Sequence, residues 1–258
     1  MSQVLFAFSL TLLAGVSTGI GSLVAMFLRK ESTKFSALSL GFSAGVMIYI
    51  SMLEILPKST EMLESTLSSK NSFLVSAVSF FGGMLLIWLI DMFIPTPQPT
   101  VNSGSAPPAK LMRTGIMTAV AISIHNFPEG LVTFVSALRE PTLAIPVFFA
   151  VAIHNIPEGI VVSVPVYSAT GSRKKAFWMS FLSGLTEPLG ALIGWLILMP
   201  FMSDLLYGIL FGIIAGIMVF ISLDELFPTS MEYGNVRLSV YGVIAGMAVM
   251  ALSLWLFI

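Results

Sequence analysis

Gly41-Phe42-Ser43-Ala44-Gly45-Val46-Met47-Ile48-Tyr49-Ile50-Ser51-Met52-Leu53-Glu54-Ile55-Leu56-Pro57 recurs without a gap as Gly212 through Pro228. Gly41/Gly212, Ala44/Ala215, Gly45/Gly216, Met47/Met218, Ile50/Ile221, Ser51/Ser222, Glu54/Glu225 and Pro57/Pro228 are identical pairs. A fainter echo pairs Leu13, Gly15, Gly21 and Leu23 with Leu182, Gly184, Gly190 and Leu192. Apolar windows of about 20 residues, the length a helix needs to cross the hydrocarbon core, fall at roughly 4–28, 35–57, 72–94, 113–137, 143–168, 176–200, 206–228 and 238–258. The repeated stretches are spans two and seven. Five is an odd separation, so the copies enter the bilayer in opposite directions, the signature of an inverted-topology repeat. The predicted fold is an all-α integral membrane protein, one domain over 1–258, with eight transmembrane helices. Spans 1–3 and 6–8 form the inverted repeat around central spans 4 and 5.

Composition agrees. The chain is 56% hydrophobic and 10% charged with a mean hydropathy of +0.96, whereas soluble domains carry about 25% charged residues. Its apolar runs are continuous rather than alternating, which excludes a barrel. The net charge of −1 says nothing about nucleic acid and no basic patch suggests it, so no nucleic-acid partner is expected. With no cysteine, disulfides and thiolate metal sites are excluded too. The first apolar run lacks a basic flank and a small-residue cleavage site, so it reads as a retained span.

Arg29, Lys30, Lys34, Lys110, Arg113, Arg173, Lys174, Lys175 and Arg237 lie in the odd loops, against Lys58, Lys70 and Arg139 in the even ones. By the positive-inside rule the odd loops face the cytoplasm and both termini lie outside. This orientation suits a multi-pass protein of the cell membrane, with the lipid bilayer as its partner. The segment 95–112, rich in Pro, Ser, Thr and Gly from Pro95 to Lys110, reads as a flexible cytoplasmic loop. Small residues at Gly208, Gly212 and Gly216 could pack helices within one protomer or between two, so a homodimer stays open.

The chemistry sits in the central spans. His125-Asn126-Phe127-Pro128-Glu129-Gly130 is echoed by His154-Asn155-Ile156-Pro157-Glu158-Gly159, and the two hexapeptides contain both histidines of the chain. Residues four apart share a helix face, so His125 stacks with Glu129 and His154 with Glu158. Asn126 and Asn155 are turned about 100° away, widening the wedge of ligands each helix offers. Pro128 and Pro157 each remove one backbone donor, freeing the carbonyls of Ile124 and Ile153, and predict a kink. Span six adds Glu187 beside Pro188, at comparable depth. An ionised group at the bilayer centre costs roughly 2.5–3.5 kcal/mol on insertion scales, and a metal cation is the simplest ligand that offsets it. Imidazole with carboxylate suits Zn²⁺, and the added oxygens also accept Fe²⁺ or Mn²⁺. Two carboxylates bridging two ions would be electrostatically reasonable. Glu54 lies near the outer mouth and Glu225 near the inner one, either as matching acidic vestibules or as acids placed at the interface, where they cost little. Asp91 is read as an acid reaching the cytoplasmic interface.

At these residues the chain resembles the ZIP (Zrt/Irt-like) family of metal transporters, in its bacterial and archaeal zinc-uptake branch. The resemblance covers nearly the whole chain: eight spans, outside termini, a variable loop after span three and the doubled His-Asn-x-Pro-Glu-Gly. It implies a binuclear centre. One site would comprise His125, Glu129, His154 and Glu158 and take zinc. The other would comprise Asn126, Glu129, Asn155, Glu158 and Glu187 and take iron or a second divalent ion, with Glu129 and Glu158 bridging. The family's loop after span three is often histidine-rich, whereas Pro95 to Lys110 contains none.

The reading that follows is a divalent cation importer. It would carry zinc, with iron, manganese or cobalt (Co²⁺) as further substrates, bound as cargo rather than as a cofactor. It would work by alternating access, and the resemblance makes an elevator-like movement plausible. A metal-dependent intramembrane hydrolase would use the same ligands, but no His-Glu-x-x-His motif is present. A proton-coupled carrier of an organic solute is a third reading.

Overall fold

Prolines set where the long helices of this chain change character. The structure, a computed structural model, describes residues 3–27, 33–92, 108–139, 141–201, 203–233 and 236–257, and among them every element is helical. The helices are α1 (Gln3–Phe27), α2 (Thr33–Ile50), α3 (Leu56–Glu64), α4 (Ser69–Asp91), α5 (Pro108–Arg139), α6 (Pro141–Thr170), α7 (Arg173–Gly184), α8 (Thr186–Ile193), α9 (Asp204–Ile221), α10 (Phe227–Glu232) and α11 (Val236–Phe257).

A π-turn, Ser51–Ile55, joins α2 to α3, and its counterpart Ser222–Leu226 joins α9 to α10. In each, the residue before the proline reaches back five positions: Leu56 N–H donates to Ser51 O and Phe227 N–H to Ser222 O. Pro57 and Pro228 have no N–H to keep the α register, and the ladder absorbs one extra residue as a π-bulge. Glu54 and Glu225 sit inside these two turns. Span six, expected as one helix, is broken at Leu185 between α7 and α8. Pro188 has no N–H for the Gly184 carbonyl and crowds it, which ends α7 there. By contrast α5 and α6 run unbroken through Pro128 and Pro157.

Among the described residues, seven stretches are long and apolar enough to cross a membrane: Gln3–Met26, Lys34–Glu64, Ser69–Asp91, Ala144–Thr170, Arg173–Ile197, Asp204–Glu232 and Val236–Leu256. This is a multi-pass helical membrane protein. Of the loop expected at 95–112, residues 95–107 lie outside the described residues, and 108–112 are already helix because α5 starts at Pro108. Proline is favoured at a first helical position, where its missing N–H removes no bond.

The helices sort into two bundles. In one, α1, α5 and α6 pack together with α7 and α8; in the other, α2 packs on α11 and α9 on α4 and α3. The main seam between them is α2 against α6. In the second bundle a Cβ on Gly45 would collide with the backbone of Val243, and one on Gly216 with that of Phe80. Glycine is what lets these backbones touch. Gly208 and Gly212 likewise pack on Leu63, Ser59 and Ser79 of the same chain, so the small-residue stripe is used up within the protomer. Large apolar side chains such as Phe73, Phe81 and Trp255 point outward. At one end Arg139 closes α5 by pairing with Asp204 at the head of α9, its guanidinium 4.2 Å from the centre of the Tyr207 ring.

Candidate metal centre

Seven polar residues meet where α5, α6 and α8 converge. His125, Asn126, Glu129, His154, Asn155, Glu158 and Glu187 are all buried. α6 and α8 each pack on α5. Two glycines bring the backbones close enough: a Cβ on Gly130 would strike the backbone of Glu187, and one on Gly159 the carbonyl of Thr18 on α1.

Glu129, His154 and Glu158 each offer a ligand atom, all within 4.8 Å of one another. His154 Nε2 stands 3.1 Å from Glu129 Oε2, across two helices. The Ser43 hydroxyl, from α2 in the other bundle, donates to the His154 carbonyl at 3.2 Å. Both oxygens of Glu158 lack a hydrogen-bond partner among the described residues, as do Glu129 Oε1 and Glu187 Oε2. Carboxylate oxygens buried this way cost several kcal/mol unless a counter-charge offsets them.

The asparagines are oriented by main chain. Asn126 Nδ2 donates to Ser183 O at 3.2 Å, and Asn155 Nδ2 to Ala14 O at 3.0 Å and also to Glu187 Oε1. Both carbonyl oxygens, Asn126 Oδ1 and Asn155 Oδ1, are buried and without a donor among the described residues. The site is therefore rich in unpartnered oxygens with one imidazole beside them. That donor set suits a borderline or hard divalent cation.

His125 is not part of the tight trio. Its Nε2 lies 2.9 Å from Glu225 Oε2, in the π-turn after α9. The four-residue spacing predicts His125 stacked with Glu129; in the structure its ring nitrogen instead meets a carboxylate from the other bundle. Glu225 had been expected only near a mouth of the protein, yet it touches a residue of the central motif. A small cleft lined by Asp91, His125, Asp224 and Glu225 with Ile87 and Phe220 leads from this point. Asp224 went unnoticed in the sequence, although an Asp-Glu pair inside an apolar span is a signal. Asp91, read there as an interfacial acid, lines the same cleft. Glu54 is half-buried on the opposite half of the repeat.

Residues 96–254 match the model of the family described as ZIP zinc transporter. The chain belongs to this ZIP family. Curated relatives named "Zinc transporter ZupT" are 57% identical in Streptococcus mutans, over the whole of both chains, 53% in Lysinibacillus sphaericus over 99% of each, and 52% in Clostridium perfringens over 100% of this chain and 98% of the relative. The doubled motif of this ZIP protein lies wholly inside the matched region.

Proposed function

We propose that this ZIP protein imports zinc across the cell membrane, with Fe²⁺, Mn²⁺ and Co²⁺ as further substrates, through a midmembrane site that binds two ions and is exposed alternately to either side. The observation that carries the reading is the buried trio Glu129, His154 and Glu158, with its ligand atoms within 4.8 Å, together with buried oxygens of Asn126, Asn155 and Glu187 that have no hydrogen-bond partner among the described residues. The first ion would take the trio, and His125 once turned inward. The second would take the oxygens of Asn126, Asn155 and Glu187, with Glu129 and Glu158 shared. The relatives' name supports zinc as the cargo.

The architecture of the proposal is eight spans in an inverted repeat, with α5 as the eighth crossing. α5 is 32 residues long, ample for a bilayer, and its polar motif dilutes its apolar character. Matched contacts support the inversion. Gly45 packs on α11 where Gly216 packs on α4, the two π-turns coincide, and Asn155 meets Ala14 where Asn126 meets Ser183. With odd loops in the cytoplasm, the acidic cleft of Asp91, Asp224 and Glu225 is the inner vestibule and Glu54 belongs to the outer one. The outward apolar side chains would meet lipid.

Flux of radioactive zinc into proteoliposomes tests this. Wild type should accumulate zinc in a chelator-sensitive way, and His154→Ala and Glu158→Ala should abolish it. Wild-type vesicles no more permeable than empty ones would sink the reading.

A further inference from the structure

Several contacts of the central site come in pairs related by the repeat, and others, such as Asn155 to Glu187 Oε1, have no mate among the described residues. Asn126 to Ser183 O is matched by Asn155 to Ala14 O, Gly130 against Glu187 by Gly159 against Thr18, and the π-turn holding Glu225 by the one holding Glu54. Among the unmatched contacts are those of the two histidines. His125 Nε2 is bound to Glu225, but no pairing of His154 with its equivalent acid Glu54 occurs among the described residues. Conversely His154 is bound to Glu129, while both oxygens of Glu158, the acid equivalent to Glu129, have no hydrogen-bond partner among the described residues.

Where two inverted copies differ in conformation in one state, alternating access between the repeats lets them exchange those conformations when the protein opens to the other side. In the state seen here the imidazole beside the acidic cleft is held out of the ion pocket by the acid of that cleft. From this asymmetry we infer that Glu54 is a positioning residue for transport: when the protein opens outward, Glu54 takes His154 as Glu225 takes His125 here, and His125 turns in to join Glu158 and Glu129. Each half-cycle then withdraws the imidazole on the open side and vacates a coordination position through which the ion enters or leaves. This deepens the transport reading above and rests on it and on the inverted arrangement.

The chain has no cysteine, so thiol pairs can be introduced alone. In membrane vesicles E54C/H154C and H125C/E225C should both be bridged by Hg²⁺, read as loss of labelling by PEG-maleimide after SDS unfolding. The mispaired E54C/H125C and H154C/E225C should stay fully labelled. Bridging of H125C/E225C with both thiols of E54C/H154C left free overturns the proposal. Uptake kinetics give a second measurement that replaces no central ligand. Glu54→Gln and Glu54→Asp should each lower the maximal zinc uptake rate about tenfold, the scale of one lost charged hydrogen bond, with KM unchanged. A vestibule acting through charge alone would leave Glu54→Asp at wild-type rate and raise only KM in Glu54→Gln, and that result also overturns the proposal. If wild type carries no zinc while the matched pairs still bridge, the transport reading fails and the exchange of partners stands.

Discussion

Asn155 donates to Glu187 from an amide whose other proton is held by the Ala14 carbonyl. The side chain thus ties α6 to α1 and α8 at once and can present only oxygen to the pocket. Replacing it by aspartate keeps the shape and reverses the sense. The new carboxylate would face Glu187 and a carbonyl with nothing to donate. Asn155→Asp should lower zinc uptake at least about tenfold, since unpaired buried groups cost about 1–3 kcal/mol each. Uptake in proteoliposomes within twofold of wild type would show that the amide protons are not needed.

Glu158 has two buried oxygens without a partner among the described residues, so its removal should act oppositely on stability and on binding. Glu158→Gln should leave the metal-free protein as stable as wild type or more so, because an uncompensated buried acid is relieved. It should also abolish stabilisation by zinc, which for a bound ligand at 100 times its Kd amounts to about 2.7 kcal/mol. Thermal unfolding in detergent with and without zinc reads both. A lower Tm without metal would mean that Glu158 is a structural element of the bundle.

Gly130 lies against the Glu187 backbone, whereas Gly82 on α4 has nothing among the described residues within 4 Å of where a Cβ would stand. Gly130→Ala should destabilise by about 1–3 kcal/mol through overpacking and impair zinc binding by pushing α8 away. Gly82→Ala should be neutral or slightly stabilising, as alanine is the better helix former. Equal Tm values for the two variants would contradict the close contact of α5 and α8.

Imidazole and carboxylate ligands bind metal only when deprotonated. Protons therefore compete with the ion, and zinc uptake should fall as the external pH is lowered from neutral into the acidic range. Competition raises KM and leaves the maximal rate intact, so excess zinc should restore transport. A fall in maximal rate with KM constant would point to a protonation step in the conformational change instead.

Much of the helical architecture was legible because apolar length and proline positions act locally. Pro57 and Pro228 lack the same N–H, and each produces the same π-turn. Pro188 splits span six, which the apolar run alone hid. The i, i+4 spacing of the two hexapeptides also marked which helices would carry the polar cluster. What it could not reveal was the direction of each side chain. His125 meets Glu225, a hundred positions away in sequence, and that choice is a tertiary contact with no local signal. The asparagine orientations were hidden for a different reason: their partners are the carbonyls of Ala14 and Ser183, groups that every residue possesses.

That last point bears on how the pocket tolerates change. Main-chain oxygens at positions 14 and 183 fix the two amides, so any small residue there that preserves the helical path leaves the oxygen array in place. Drift at these sites would be silent, and a library randomised at 14 and 183 should return many working carriers. Libraries at 126 and 155 should return almost none.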